Sequence, residues 1–227
     1  MARSIRVHRR GLALVELLVG LVLGLFIAAA AAAVLAAQLR EQRSLAVENR
    51  LMQDLRTASD VVVRDLRRAG HWGAAASGIW MPGAAGVTAN PYAELSPGAA
   101  ASDAASFRYS RDAVENHVVD SNEEFGLRLR NGAIEMLLGA GNWQSLTDAG
   151  TLNVTRFSIT PTTQEISLQA HCTAPCAADS TTCPPRQQVR SLAVVVTARS
   201  GVDTSVVRSL RSDVRVRNDA VIGACPA

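Results

Sequence analysis

Lysine is missing from this chain: all 23 basic residues are arginine. Together with the many alanines, this is a compositional bias and points to no mechanism. The net charge of +3 suggests at first a nucleic-acid partner. Four of the arginines, however, are Arg3, Arg6, Arg9 and Arg10, all within residues 1–11. The remainder carries 19 arginines against 20 acidic residues. That is close to neutral, so a general basic footprint is absent and no nucleic-acid partner is expected. Proline is missing from 12–69, so nothing there interrupts a helix. Closely spaced Cys-x2-Cys pairs of the zinc type are also missing. There is no glycine-rich phosphate loop, no Gly-x-Ser-x-Gly and no His-Glu-x-x-His. The histidines, His8, His71, His117 and His171, are scattered. The expectation is therefore no enzyme, no cofactor and no metal.

What is present is an apolar run over 12–37 with one acid near its start, Glu16. The run has 26 residues, long enough to span a bilayer. A carboxylate in hydrocarbon costs at least ~2.5–3.5 kcal/mol on insertion scales. A simple anchor has no use for it, so Glu16 is read as having a partner inside the membrane. The arginine-only flank 1–11 keeps the N-terminus cytoplasmic. Gly11 stands at the water–lipid boundary, where a protease can accept the backbone. An ordinary secretory signal, cleaved among the alanines near Ala37, fits less well. Its apolar core would be ~7–15 residues.

Gly11, an apolar residue at 12 and a glutamate at the fifth position after the glycine resemble the class III signal of type IV prepilins. The resemblance implies that a prepilin peptidase cuts between Gly11 and Leu12. The new amino terminus at Leu12 is then N-methylated, although this family most often has Phe there. It also implies that the apolar helix stays on the mature protein. The Leu12 ammonium of one subunit can then neutralise Glu16 of the next. Burying either charge alone is costly, and pairing removes most of that cost. The pair would set the axial offset between neighbouring subunits.

Beyond the span, 38–70 reads as the amphipathic half of the same helix. Leu51, Leu55, Ala58, Val62, Leu66 and Ala69 recur at spacings of three and four and form one apolar stripe. Gly70 is the candidate C-terminal cap. Residues 71–227 read as a β-rich globular domain opening with a long loop over 73–105, in which Trp80 and Tyr92 are the anchors. Trp72 is expected to pack the helix end onto the sheet. Strands are predicted over 107–111, 125–130, 133–138, 152–160, 165–170, 189–199 and 206–217. Asn131-Gly132 is a favoured hairpin turn. One long helix followed by many antiparallel strands makes the fold class α+β.

Cys172, Cys176, Cys183 and Cys225 are an even set, expected to form two disulfides if the domain lies outside the cytoplasm. Three connectivities are open, with a preference for Cys225 tying the tail to the 172–183 loop. The run Asp120-Ser121-Asn122-Glu123-Glu124 begins like a calcium loop. It lacks glycine at the sixth position, and Asn131 stands where the twelfth-position glutamate belongs. It is read as a solvated turn. The arginine face of Arg211, Arg215 and Arg217 is read as the wet side of a strand.

The run Asp65-Leu66-Arg67-Arg68-Ala69-Gly70-His71-Trp72-Gly73 resembles a stretch of PilW-type minor pilins, where Tyr or Phe commonly replaces His71. That resemblance implies a structural subunit that helps prime type IV pilus assembly. Its partners would be prepilin peptidase, other minor pilins, the major pilin and the inner-membrane assembly machinery. The location implied is a single pass of the inner membrane with a periplasmic C-terminal domain, and incorporation in the extracellular pilus. The alternatives are a GspJ-like minor pseudopilin of type II secretion and a pilus-tip module binding DNA or a surface.

Overall fold

The computed structural model describes residues 13–78 and 88–226. The fold is α+β, a long N-terminal helix followed by antiparallel sheets. Gly11, Leu12 and Trp80 lie outside the described residues. The chain divides between Ala46 and Val47 into two units. Helix α1 spans Ala13–Arg68. In the first unit its large apolar side chains from Leu14 to Leu39 are exposed. This stretch is long and apolar enough to cross a membrane.

In the second unit the helix changes character. Spacings of three and four place Leu51, Leu55, Ala58, Val62, Leu66 and Ala69 on one face. All six are buried. Arg50, Arg56, Asp60, Arg64, Arg67 and Arg68 stay exposed on the remaining surface. The helix gives way to Gly70, whose φ of +73° is left-handed. A Cβ at this position would stand 3.0 Å from the Arg217 carbonyl oxygen, so glycine is required on two counts.

The first sheet holds β1 (Leu95–Ser96), β2 (Ala104–Arg108), β3 (Glu124–Arg130), β4 (Ala133–Leu138) and β5 (Trp143–Ser145), in chain order. Asn131 and Gly132, with φ of 51° and 77°, turn β3 into β4. Positive φ at both positions is what a type I′ hairpin needs. The second sheet holds β6 (Leu152–Ser167), β7 (Arg186–Ser200) and β8 (Val207–Arg215), in that order. The short β9 (Ala220–Ile222) pairs with β7 at Arg186–Gln188, next to the stretch that β8 covers. A bridge between Ser102 and Ile159 joins the edge of β6 to the approach to β2. The helical stripe, Phe107, Phe125 and Ile134 of the first sheet, and Phe157, Leu192 and Val194 of the second form one buried cluster. Ion pairing adds to this docking at Arg208 of β8, whose Nε donates to Glu48 of the helix at 3.1 Å.

Four expectations are corrected. The predicted strand 107–111 lies further upstream, at 104–108, because the Arg111 N–H is taken by the Glu123 carboxylate (2.6 Å). The separate strands 152–160 and 165–170 are one strand running through Pro161. Ile159 bonds outward to Ser102 through both backbone groups, so Pro161, two residues on, also faces outward. Its missing N–H therefore breaks no bond to β7. Trp72 is buried but is not part of the main cluster. Its indole N–H donates to His117 Nδ1 at 3.2 Å, so a loop residue fixes the polar end of the ring. The long loop over 73–105 also contains a short 3₁₀ turn, Ala75–Gly78, and β1.

Leu55 is fully buried at the centre of the helical stripe. Leu55→Ala should lower unfolding free energy by about 2–5 kcal/mol. Urea titration of the full chain in detergent micelles measures this. A loss below half a kilocalorie would mean the stripe does not hold the domain.

Candidate functional site

Glu16 lies in the first turn of α1, exposed among Leu14, Val15, Leu17 and Leu18. No ion pair or hydrogen bond reaches it from the described residues. A carboxylate at a helix N-terminus is favoured by the helix dipole, which points its positive end there. An apolar helix surface with one anionic group near its start can therefore bind other apolar surfaces and one cation. Gly11 and Leu12, the expected processing positions, lie outside the described residues, so no geometry links them to Glu16.

The cysteines pair as Cys172–Cys225 and Cys176–Cys183. The first bond ties the tail to the segment after β6, and the second closes a short loop. All four sulfurs are consumed, which leaves no thiolate for a metal. Gly223, at φ +80°, lets the tail pass so close to Thr182 that a Cβ there would be 2.1 Å from the Thr182 carbonyl oxygen. The Ala224 N–H donates to that same oxygen at 3.0 Å. A cleft of about 760 Å³ opens beside the tail, lined by Trp72, Ala93, Leu168, Gln187, Ala220 and Val221 among others.

The exit of the helix is held by polar contacts that sequence reading missed. The Gly70 carbonyl accepts from Asn90 Nδ2 at 2.8 Å and from Asn218 Nδ2 at 3.0 Å. Tyr92 is fully buried, and its hydroxyl lies 3.1 Å from Glu115 Oε1 and 3.2 Å from the Val118 carbonyl. Burial holds the Tyr92 phenol above its ordinary pKa. At Glu115, burial acts to raise the pKa, but N–H groups of Gly73 and His117 and nearby hydroxyls outweigh it, so the value is lowered. Burial, then Arg217 and Arg68, lowers the pKa of His71.

Asp65 is the other missed group. It is buried on the stripe side of α1, 3.9 Å from Arg68 Nη1. Its Oδ2 has no hydrogen-bond partner. The Arg68 guanidinium sits 4.2 Å from the centre of the Tyr109 ring, and that ring stacks on Phe125 at 3.7 Å. Burial is the main reason the Asp65 pKa is raised, against the pull of Arg68 and Arg64. Burial, with Asp65 next, pushes the Tyr109 phenol up to about 12. The signal was available: Ala58, Val62, Asp65 and Ala69 share one helical spacing, so an acid interrupts the apolar face.

The acidic run is not a solvated turn throughout. Glu123 is fully buried, because its carboxylate accepts the N–H groups of Arg111 and Asp120. Asp112, Asp120 and Glu123 bring carboxylate oxygens within 4.8 Å of one another. The arginine face of β8 is largely neutralised locally. Arg211 pairs with Asp213 at 3.3 Å and Arg215 with Asp219 at 2.5 Å.

An apolar N-terminal helix that continues into the docked helix of an antiparallel β-domain has the layout of a pilin-related protein. Comparison with family models gives the particular family. Residues 44–216 match the model of PpdB, prepilin peptidase-dependent protein B, and the chain belongs to that family. No curated protein and no solved structure matches the chain.

A carboxyl group whose folded pKa is raised favours the fold when protonated. That contribution is complete below the unfolded pKa of about 3.9 and is lost as pH rises through the folded value. Relative to wild type, Asp65→Asn should therefore gain stability progressively from pH 4 to pH 7. Denaturant titrations across that range test it. A wild type that gains on the variant with rising pH would refute the assignment.

Proposed function

We propose that this protein is a minor pilin of the PilW type, a structural subunit that helps prime type IV pilus assembly. The observation that carries the reading is the uncovered apolar helix surface from Leu14 to Leu39 with Glu16 in its first turn. Membership of a prepilin peptidase-dependent family supports it and fits that peptidase as a partner. In this reading the enzyme cuts after Gly11, and Leu12 becomes an N-methylated amino terminus. Its ammonium pairs with Glu16 of the neighbouring subunit and sets their offset. The remaining partners are other minor pilins, the major pilin and the inner-membrane assembly machinery. The apolar helix holds the subunit in the inner membrane, with the β-domain on the periplasmic side, until it is drawn into the fibre. The role is structural and involves no catalytic step.

The ion pairs of Arg211 and Arg215 weigh against DNA binding by that strand, since each guanidinium already has a carboxylate. The pseudopilin reading uses the same anchor and the same pairing, and the PilW-type run over 65–73 favours the pilus.

Mass measurement of the mature chain, made with and without prepilin peptidase, tests the processing. The expected product begins at Leu12 and carries one added methyl group, only when the peptidase is present. A product beginning near Ala37 would end the proposal. Glu16→Gln should be processed normally yet enter fibres poorly, as read by immunoblot of sheared pili. Parental levels in the fibre would remove the role given to the carboxylate.

A further inference from the structure

We infer that the Cys172–Cys225 disulfide is a redox-operated latch, so that a dithiol reductant releases the C-terminal strand β9 while the rest of the β-domain stays folded. Among the described residues, the cluster of buried apolar residues contains none after Val216. The tail is therefore held by something other than the core. Asn218 and Asp219 are fixed by side-chain bonds, to the Gly70 carbonyl and to Gln187 and Arg215 respectively. Beyond Asp219, the ties among the described residues are the short pairing of Ala220–Ile222 with Arg186–Gln188, the Ala224 N–H bond to Thr182, and the disulfide. Residues 220–222 are only half-buried. Local pairings of this kind open at far lower free energy than a core does.

The disulfide closes a sequence separation of 53 residues. It thereby keeps Ala220–Ile222 beside β7 at high local concentration. Cys176–Cys183 closes a separation of only seven, and its loop meets the tail at the Thr182 carbonyl, not at β9. Cys172 and Cys225 are half-buried and not sealed, so a small thiol can reach them. One reductant thiolate attacks a sulfur of the pair, forming a mixed disulfide and freeing the other sulfur as a thiolate. The second reductant thiol displaces the remaining protein sulfur. The protein ends with two thiols, and the reductant leaves as its own disulfide. Opening has two consequences in the fold. Arg186–Gln188 of β7 lose their strand partner on that side. The cleft beside Trp72 loses the wall formed by Ala220 and Val221.

Hydrogen exchange of the full chain in detergent micelles, read by mass spectrometry before and after dithiothreitol, tests this. Peptides covering 186–188 and 220–226 should exchange at least about tenfold faster after reduction, while those covering 192–198 and 51–66 stay protected. Cys172→Ser/Cys225→Ser should reproduce the change without reductant, and Cys176→Ser/Cys183→Ser should not. Should the double variant fail to fold, reduction of the folded Cys176→Ser/Cys183→Ser variant, which keeps only the Cys172–Cys225 bond, supplies the same comparison. Unchanged protection at 186–188 would overturn the latch. Loss of protection at 192–198 together with the tail would overturn it equally, since the strand would then not leave alone.

Discussion

Between Leu51 and Ala69 one helix face must stay dry while the arginines around it stay wet, and the β-domain is arranged around that requirement. The stripe is too apolar to face water. Burying it gathers side chains from both sheets into a single cluster, with Phe107, Phe125 and Ile134 from one and Phe157, Leu192 and Val194 from the other. The charged residues of the helix then fall where they can pair or remain solvated. Glu48 meets Arg208 at the start of the docked stretch, and Arg68 lies over Tyr109 at its end. Asp65 is the exception. It sits on the buried side with one carboxylate oxygen unpartnered, so the helix accepts an electrostatic cost at the place where it leaves the core.

The features legible in the sequence are those with short-range physical causes. The stripe was readable because helical spacing is periodic, and all six of its named residues are buried. The β3–β4 turn was readable because Asn-Gly tolerates positive φ at both positions. Gly70 was readable as a helix end for the same reason. Strand limits were less legible. The predicted strand stopped at Thr160, and the outward placement of Pro161, which follows from the pairing of Ile159 with Ser102, lets β6 continue. Tyr109 and Arg111 looked like strand residues, but a side chain twelve positions away takes the Arg111 N–H.

The candidate site divides in the same way. Glu16 stood out because an acid in an apolar run is costly whatever surrounds it. The bonds of Asn90 and Asn218 to Gly70 were invisible, since nothing local marks an asparagine as the partner of a carbonyl 20 or 148 residues earlier. Glu123 read as a solvated acid because one of its donors is the Arg111 N–H, which nothing local marks, although Asp120 and Glu123 have capping-box spacing. Trp72 was rightly seen as buried, but its partner His117 lies in a loop that periodicity does not describe.

Asn218 meeting Gly70 has a topological consequence. The polypeptide enters the two sheets and leaves β8 at the same spot, with one amide and one carbonyl in contact across the gap. The stretch 70–218, which holds β1 to β8, is thus a loop of chain whose ends are joined by a hydrogen bond. The helical stripe lies before this junction and β9 after it, so the two segments that flank the sheets diverge from one point.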